Sequence, residues 1–409
     1  MSSMTEHTRQ LRKFGWYGLL KNLKWFEPYL LLFLLEQQLS FVQIGILFAI
    51  RETTIYLFEI PSGVIADRYG KKKELILSFA FYIVSFVGFF LSGNFWILIL
   101  PMVLFGLGEA FRSGTHKAMI MDYLDIHHIA EGKEQVYGYT RSYSNIGSVV
   151  SSVFGIVLVL IVPQLNVLFL IAVVPYVADA ILIWSYPDDL DQSREQGFHI
   201  TTVWMEMKST ITEVWQSRLL RRTLLDSSVF TAMFKLMRDF IQPVLFAAGL
   251  GLMLIHTVPA ESNARMFVGI AYAIAQFCSV FVTRNAHRLK RRFHSESILL
   301  GTWLLAVIGA MLIWFLGNWL AAAAIGLLIF YVAQNIRKPF MVDRIGTLSL
   351  VHRRSSVLSI ESQMSSVFII VFAPFFGWIA DQFGLSIMFA VVSLSFLLLA
   401  ITLTTKKDA

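Results

Sequence analysis

Twelve apolar runs, each close to 20 residues long, follow one another along this chain and leave room for little else. They lie at about 22–40, 43–66, 74–93, 95–118, 143–162, 165–185, 226–249, 264–284, 297–316, 318–338, 357–381 and 384–404. About 20 apolar residues in a helix match the thickness of a bilayer's hydrocarbon core. Inside lipid a spanning backbone must satisfy its own hydrogen bonds, and for separate runs of this length the α-helix does so. The expected class is therefore an all-α polytopic membrane protein with twelve transmembrane helices. Composition agrees: of 409 residues, 56% are hydrophobic and 15% charged, with a mean hydropathy of +0.65. A soluble domain carries roughly 25% charged residues.

Charge orients the runs. The connections near 67–73, 119–142, 186–222, 285–296 and 339–356 are rich in Lys and Arg, as are both termini. The alternate connections near 41, 94, 164, 250–263, 317 and 382 contain none, with Arg265 at the edge of one. Basic connections stay on the cytoplasmic side, so both termini are expected there, in a plasma membrane. The net charge of +7 resides in these loops and does not mark a nucleic-acid partner. The first run is read as a retained span, since no small-residue cleavage site follows it. The single cysteine, Cys278, sits in an apolar run and is expected to be buried and inert.

The chain also repeats itself. At an offset of 224, Gly45-Ile46-Leu47-Phe48-Ala49-Ile50 matches Gly269-Ile270-Ala271-Tyr272-Ala273-Ile274, and Gly93-Asn94-Phe95 matches Gly317-Asn318-Trp319. Glu109-Ala110-Phe111-Arg112 matches Gln334-Asn335-Ile336-Arg337, and Glu27-Pro28 matches Gln242-Pro243. These pairs run in order, placing spans 1 to 4 on spans 7 to 10. They imply two pseudo-symmetric six-helix bundles, at 1–185 and 223–409. The polar interval 186–222 reads as a linker, amphipathic over Val203–Leu220 and lying at the membrane interface.

Between spans 2 and 3 the chain reads Gly63-Val64-Ile65-Ala66-Asp67-Arg68-Tyr69-Gly70-Lys71-Lys72-Lys73. This loop, with the duplicated halves, resembles the major facilitator superfamily of secondary transporters, and the resemblance covers essentially the whole chain. It implies alternating access by rocking of two bundles around a central site. It also implies a latch on the basic side. There Asp67 would contact the start of span 11, and Lys71 or Lys72 would pair with Asp122 at the end of span 4. Arg141 would join them. Gly63, Arg68 and Gly70 complete the expected gating set. The counterpart loop, His287–His294, keeps the basic residues without the Gly-Asp pattern. Gly377-Trp378-Ile379-Ala380-Asp381-Gln382-Phe383-Gly384 repeats the spacing at the other membrane face, so Asp381 could serve a mirror-image gate. Two departures from the family point away from a drug exporter. Met102 stands where many members carry an arginine, and span 5 lacks a clear Gly-Pro-rich run.

Ionisable groups inside a membrane are costly and are functional candidates by default. Arg51, Glu109, Arg112, Arg238, Asp239, Gln242, Gln276, Gln334 and Arg337 are the expected substrate-binding residues. Glu109, Arg112 and His116 are spaced to share one helix face. The repeat sets Glu27, Glu52 and Glu109 against Gln242, Gln276 and Gln334. An amide cannot take up a proton, so a proton-coupling acid is expected among Glu27, Glu52 and Glu109. The plainer reading makes Glu109–Arg112 a neutralised structural pair, Lys235 a snorkelling residue and His116 a satisfied polar group. The excess of arginine favours an anionic or zwitterionic solute. The reading that follows is a monomeric secondary transporter of a small polar solute, coupled to protons or another cation, with no cofactor and no metal. A receptor or sensor on the same fold, or a lipid or drug exporter, is the alternative. No nucleotide loop, zinc-protease motif or nucleophile elbow is present, so an enzyme is not expected.

Overall fold

The computed structural model describes residues 2–127, 133–191, 200–251, 256–290, 294–350 and 353–404. Every regular element among them is helical. The first eight helices are α1 Ser2–Leu20, α2 Leu30–Glu36, α3 Phe41–Tyr69, α4 Lys71–Leu91, α5 Phe95–Arg112, α6 Thr115–Ile126, α7 Lys133–Ile161 and α8 Val167–Trp184. The rest are α9 Ile200–Gln216, α10 Arg218–Phe240, α11 Gln242–Gly249, α12 Ala260–Lys290, α13 Ser295–Leu316, α14 Leu320–Leu348 and α15 Arg354–Thr404. Short 3-10 turns lie at Glu27–Tyr29 and Asp188–Asp191.

Nine stretches of the described residues are long and apolar enough to cross a bilayer. The difference from the expected twelve has a physical source. The last stretch, Ser356–Thr402, passes through Gly384, whose φ of 85° divides it into two helices. The first and seventh spans are interrupted, so neither forms one long apolar helix. The first, expected over 22–40, instead begins within α1. Helix is lost over residues 21–26 and resumes through the turn Glu27–Tyr29 into α2. Pro28 has no N–H to donate and disfavours helix in the residue before it. Pro243 occupies the matching place, in the first turn of α11, directly after α10 ends. Both breaks thus fall at the repeat-matched dipeptides. The seventh span also starts earlier than residue 226, at Arg218.

A third break separates α5 from α6 at Ser113 and Gly114, with Gly114 at φ 78°. Glu109 and Arg112 lie before it and His116 after it, so the three do not share one continuous face as their spacing predicted. Cys278 is half-buried rather than buried.

The contacts divide the chain into two compact units. One comprises Met1–Glu27, Ile50–Leu158 and Val162–Val203; the other comprises Pro28–Ala49, Val159–Ile161 and Trp204–Ala409. Lipid offers no hydrophobic drive for helix association, so close packing must hold each unit together. In the first, Phe86 of α4 meets Phe105 of α5 and Tyr176 of α8 at ring separations of 6.2 and 4.8 Å. In the second, α9 docks through Val214 against Leu220, Leu224, Ile345 and Val357. Glu213 of α9 also pairs with Arg353 at 2.9 Å. The segment 192–199 between the turn Asp188–Asp191 and α9 lies outside the described residues.

Candidate substrate site and gates

The charged residues of the first unit converge on Glu109. Lys24, in the break of the first span, reaches Oε1 at 2.8 Å, and Arg112 reaches Oε2 at 2.5 Å. Arg112 Nε also donates to the Tyr82 hydroxyl at 3.1 Å. The three charged side chains keep 19–22% of their surface exposed. Two cations therefore share one carboxylate at the edge of a packed core. Lys24 is placed by the loss of helix before Pro28; a continuous helix would carry it elsewhere. The break at Gly114 lets His116 turn away. It is buried, stacks on Tyr17 at 3.5 Å between ring centres and hydrogen-bonds the Tyr186 hydroxyl at 3.1 Å.

Arg51 and Glu52 are neighbours in α3, where adjacent side chains leave the helix in different directions, yet theirs meet at 3.3 Å. Glu52 is buried, whereas Glu27 is half-buried. Asp179 in α8, absent from the expected set, is fully buried with neither carboxyl oxygen hydrogen-bonded. Its only sequence signal is a lone acid inside the apolar run 165–185. Lys24 went unrecognised because it lies at the edge of an apolar run.

In the second unit, Arg238 pairs with Asp239 at 3.1 Å. The Tyr272 hydroxyl donates to the Arg238 carbonyl. Lys235, Gln276 and Gln334 are half-buried. Arg337 is not grouped with any of these. It is 2% exposed and pairs with Asp226 of α10 at 2.5 Å. It also donates to Thr302 Oγ1 at 2.9 Å and to the Leu299 carbonyl at 3.1 Å, and lies over the Phe230 ring at 4.5 Å. Trp303 donates to the same Asp226 at 2.7 Å. Arg337 is thus buried within the second unit, with its Nε lacking a hydrogen-bond partner.

The loop Gly63–Lys73 is bound within the first unit. Lys71 bonds Asp122. Lys72 meets Asp188 at 2.8 Å and the Tyr186 carbonyl at 2.9 Å, and Lys73 meets Asp191 at 3.3 Å. The Lys72 ammonium holds the Asp188 carboxyl below the usual carboxylate range, through its hydrogen bond and its charge. Gly70 takes φ 101°, and a Cβ there would run into Asp191. Gly63 is exposed, and a Cβ there would meet nothing. Arg68 is exposed and lies over the Tyr69 ring. Arg141 is exposed, with no ion pair among the described residues. The side chains of Asp67 and His287, and residues 291–293, lie outside those described.

At the side whose connections lack Lys and Arg, the second unit closes on itself. Asp381 accepts the backbone N–H of Phe41 and of Val42, each at 2.8 Å. Ser40 and Gln43 form a reciprocal capping box at 3.3 and 3.0 Å. The first-turn donors of α3 are thereby met, two of them by an anion placed at the positive end of the helix dipole. Gln242, fully buried, accepts from the N–H of Leu31 at 3.0 Å and so caps α2, which has no side-chain cap of its own. Arg265 pairs with Glu36 at 2.7 Å. Backbone proximity makes this possible, because a Cβ on Gly377 would overlap the Phe41 carbonyl.

A family model, Major Facilitator Superfamily, matches residues 22–337. The uncharacterised MFS-type transporter YxaM of Bacillus subtilis (strain 168) is 22% identical over 391 residues, covering 93% of this chain and 91% of YxaM. Among solved structures, the nucleoside transporter NupG superposes with a TM-score of 0.80 at 10% identity, covering 97% of this chain and 99% of NupG. The peptide transporter POT in complex with sulfate gives 0.73 at 11% identity over 96% and 93% of the two chains. The D-xylose-proton symporter gives 0.68 at 13% identity over 97% and 96%. At such identities the likeness is one of fold.

Proposed function

The chain belongs to the Major Facilitator Superfamily, a membrane transporter rather than an enzyme, and on that premise we propose that it carries a small anionic or zwitterionic solute by alternating access. One observation carries the choice of solute: Lys24 and Arg112 share the single carboxylate of Glu109 while each stays about one-fifth exposed. One positive charge in excess, presented by a guanidinium and an ammonium, suits a carboxylate or phosphate group. Arg238 with Asp239 would offer the second half's contribution, and Gln276 and Gln334 its neutral hydrogen-bonding groups. Arg337 is better assigned to holding the second unit together.

Transport is proposed to be coupled to a proton or another cation, in a monomer of a plasma membrane with both termini cytoplasmic. The Lys71–Asp122 and Lys72–Asp188 contacts would form the latch of the basic side. Asp381, Gln242 and the Arg265–Glu36 pair would form its counterpart on the other. Of the expected coupling acids, Glu109 and Glu52 each face a cation, and Glu27 lies at the break of the first span.

The test is a thermal-shift screen of charged solutes on purified protein, followed by proteoliposome flux of the hits with and without a pH gradient. Anionic or zwitterionic hits that vanish in Arg112→Ala are expected. Equal responses to matched anionic and cationic solutes, unaffected by Arg112→Ala, would sink the proposal. Flux that is unchanged when the gradient is collapsed removes proton coupling.

A further inference from the structure

Asp179 is an acid of the first unit whose setting fits neither a salt bridge nor a cap. It is 0% exposed, and both carboxyl oxygens lack a hydrogen-bond partner. An ionised carboxylate so placed has lost its water without gaining a donor, at a penalty of several kcal/mol; a proton removes that charge. We propose that Asp179 is a proton-binding site, occupied in this conformation and emptied when Lys21 or Arg112 comes to its carboxylate.

The neighbourhood supplies the means. Lys21, in the break after α1, and Arg112, at the end of α5, both act on Asp179 electrostatically. The remaining polar groups that sense its charge are the hydroxyls of Tyr17 from α1, Tyr176 from α8 itself and Tyr186 beyond it. Tyr82 of α4 packs on Tyr176 at 5.1 Å, and His116 of α6 stacks on Tyr17. The Tyr176 hydroxyl donates to the Lys21 carbonyl at 3.5 Å, tying α8 to the non-helical segment that carries both Lys21 and Lys24. On release the carboxyl O–H bond breaks heterolytically. The electron pair stays on Asp179 and the proton passes to water.

The inference deepens the proposed coupling and rests on it for its physiological meaning. A protonated Asp179 leaves Lys21, Lys24 and Arg112 facing only Glu109. An ionised Asp179 competes with an anionic solute for the same cations. Proton and anion would then favour each other's binding, and the coupling is reciprocal. Residues in the broken first span would transmit it, since Lys21 and Lys24 share one short non-helical segment.

The proton can be read without knowing the solute. Infrared spectra of the full-length protein in lipid vesicles should show a protonated-carboxyl C=O band at neutral pH that downshifts in heavy water. The band should be lost in Asp179→Asn and kept in Glu109→Gln. In Arg112→Ala it should persist to higher pH than in the parent, because a cation that favours the ionised form is gone. If Asp179→Asn does not fold, Asp179→Glu should keep the band at a displaced frequency. No band in the parent, or a band that survives Asp179→Asn, overturns the site. A band that titrates at the same pH in Arg112→Ala overturns the exchange with that cation. If the band behaves as expected while flux ignores a pH gradient, Asp179 stands as a proton site and the proposed coupling falls.

Discussion

Arg112 and Arg337 occupy matching places in the two halves of a duplicated chain, yet their surroundings differ in kind. Arg112 has Glu109 three residues before it, and the pair meets at 2.5 Å with about one-fifth of each side chain exposed. The second half has Gln334 at the matching position, so Arg337 has no carboxylate on its own turn. It turns instead to Asp226 of α10 and is 2% exposed, with Trp303 and Phe230 against it. One substitution between the halves, acid against amide, accompanies the difference between a partly exposed cation and a buried one. Duplication supplies two equivalent helices, and local pairing decides which of the two arginines keeps exposed surface.

That contrast predicts its own largest effect. Arg337→Ala leaves Asp226 charged in a packed interior, and breaking one partner of a buried pair costs about 3–5 kcal/mol. Chemical denaturation in detergent should register most of that loss. Replacing both residues, as Arg337→Met with Asp226→Leu, should recover much of it, since apolar isosteres often match a buried pair. Arg112→Ala should lower stability by only about 1–2 kcal/mol, in keeping with a partly exposed pair, while abolishing the stabilisation given by anionic solutes. If the two variants exchange these behaviours, the assignment of open and closed cations is wrong.

The next effect sharpens the comparison by way of the side whose connections lack Lys and Arg. Gly377 stands against the backbone at Phe41, and Gly45 against Ala373. Gly377→Val must push α15 from α3, and overpacking of this kind costs about 1–3 kcal/mol. It should also weaken the two bonds from Asp381, visible as faster hydrogen exchange at Phe41 and Val42. Unchanged exchange there would mean that the close approach is not what brings Asp381 to α3.

A smaller loss is expected for Asp381→Ala. Two first-turn donors of α3 go unmet and a negative charge leaves the positive end of a helix, together about 1–2 kcal/mol. The capping box of Ser40 and Gln43 survives the change. Asp381→Asn, which keeps one acceptor, should fall between the parent and the alanine variant in thermal stability. An asparagine variant as damaged as the alanine one would assign the effect to charge alone.

Much of this was legible before any coordinates. Hydropathy placed most of the spans because lipid admits few alternatives to a helix. Pro28 and Pro243, matched by the repeat, lie at the breaks in spans 1 and 7, since proline acts locally. What sequence could not show was partnership. Arg51 and Glu52 meet because long side chains bend toward one another despite adjacent positions, which helical geometry alone argues against. Asp226 and Asp179 carry no motif. The first reads as the polar start of a span and the second as a stray acid in a run of apolar residues. Gly114 was hidden because a glycine inside an apolar stretch does not announce whether its φ is positive.

The smallest effect lies in the loop between α3 and α4. Lys72 holds the Asp188 carboxyl below its ordinary range, so the ionised form is favoured in the folded protein. The contribution is therefore present above the ordinary carboxylate value and is lost as pH falls through the lowered one. Asp188 is exposed and its partner largely buried, at 95% and 12% of their side-chain surfaces, so solvent and salt screen the pair strongly. Asp188→Asn should leave stability at neutral pH nearly unchanged and flatten a shallow acid limb in the melting temperature. Lys71 against Asp122 in the same loop is more enclosed, at 18% and 32%, so Asp122→Asn should show the steeper loss at neutral pH. Equal losses from the two variants would mean that exposure does not rank the contacts of this latch, and the same criterion would then fail for Arg112 and Arg337.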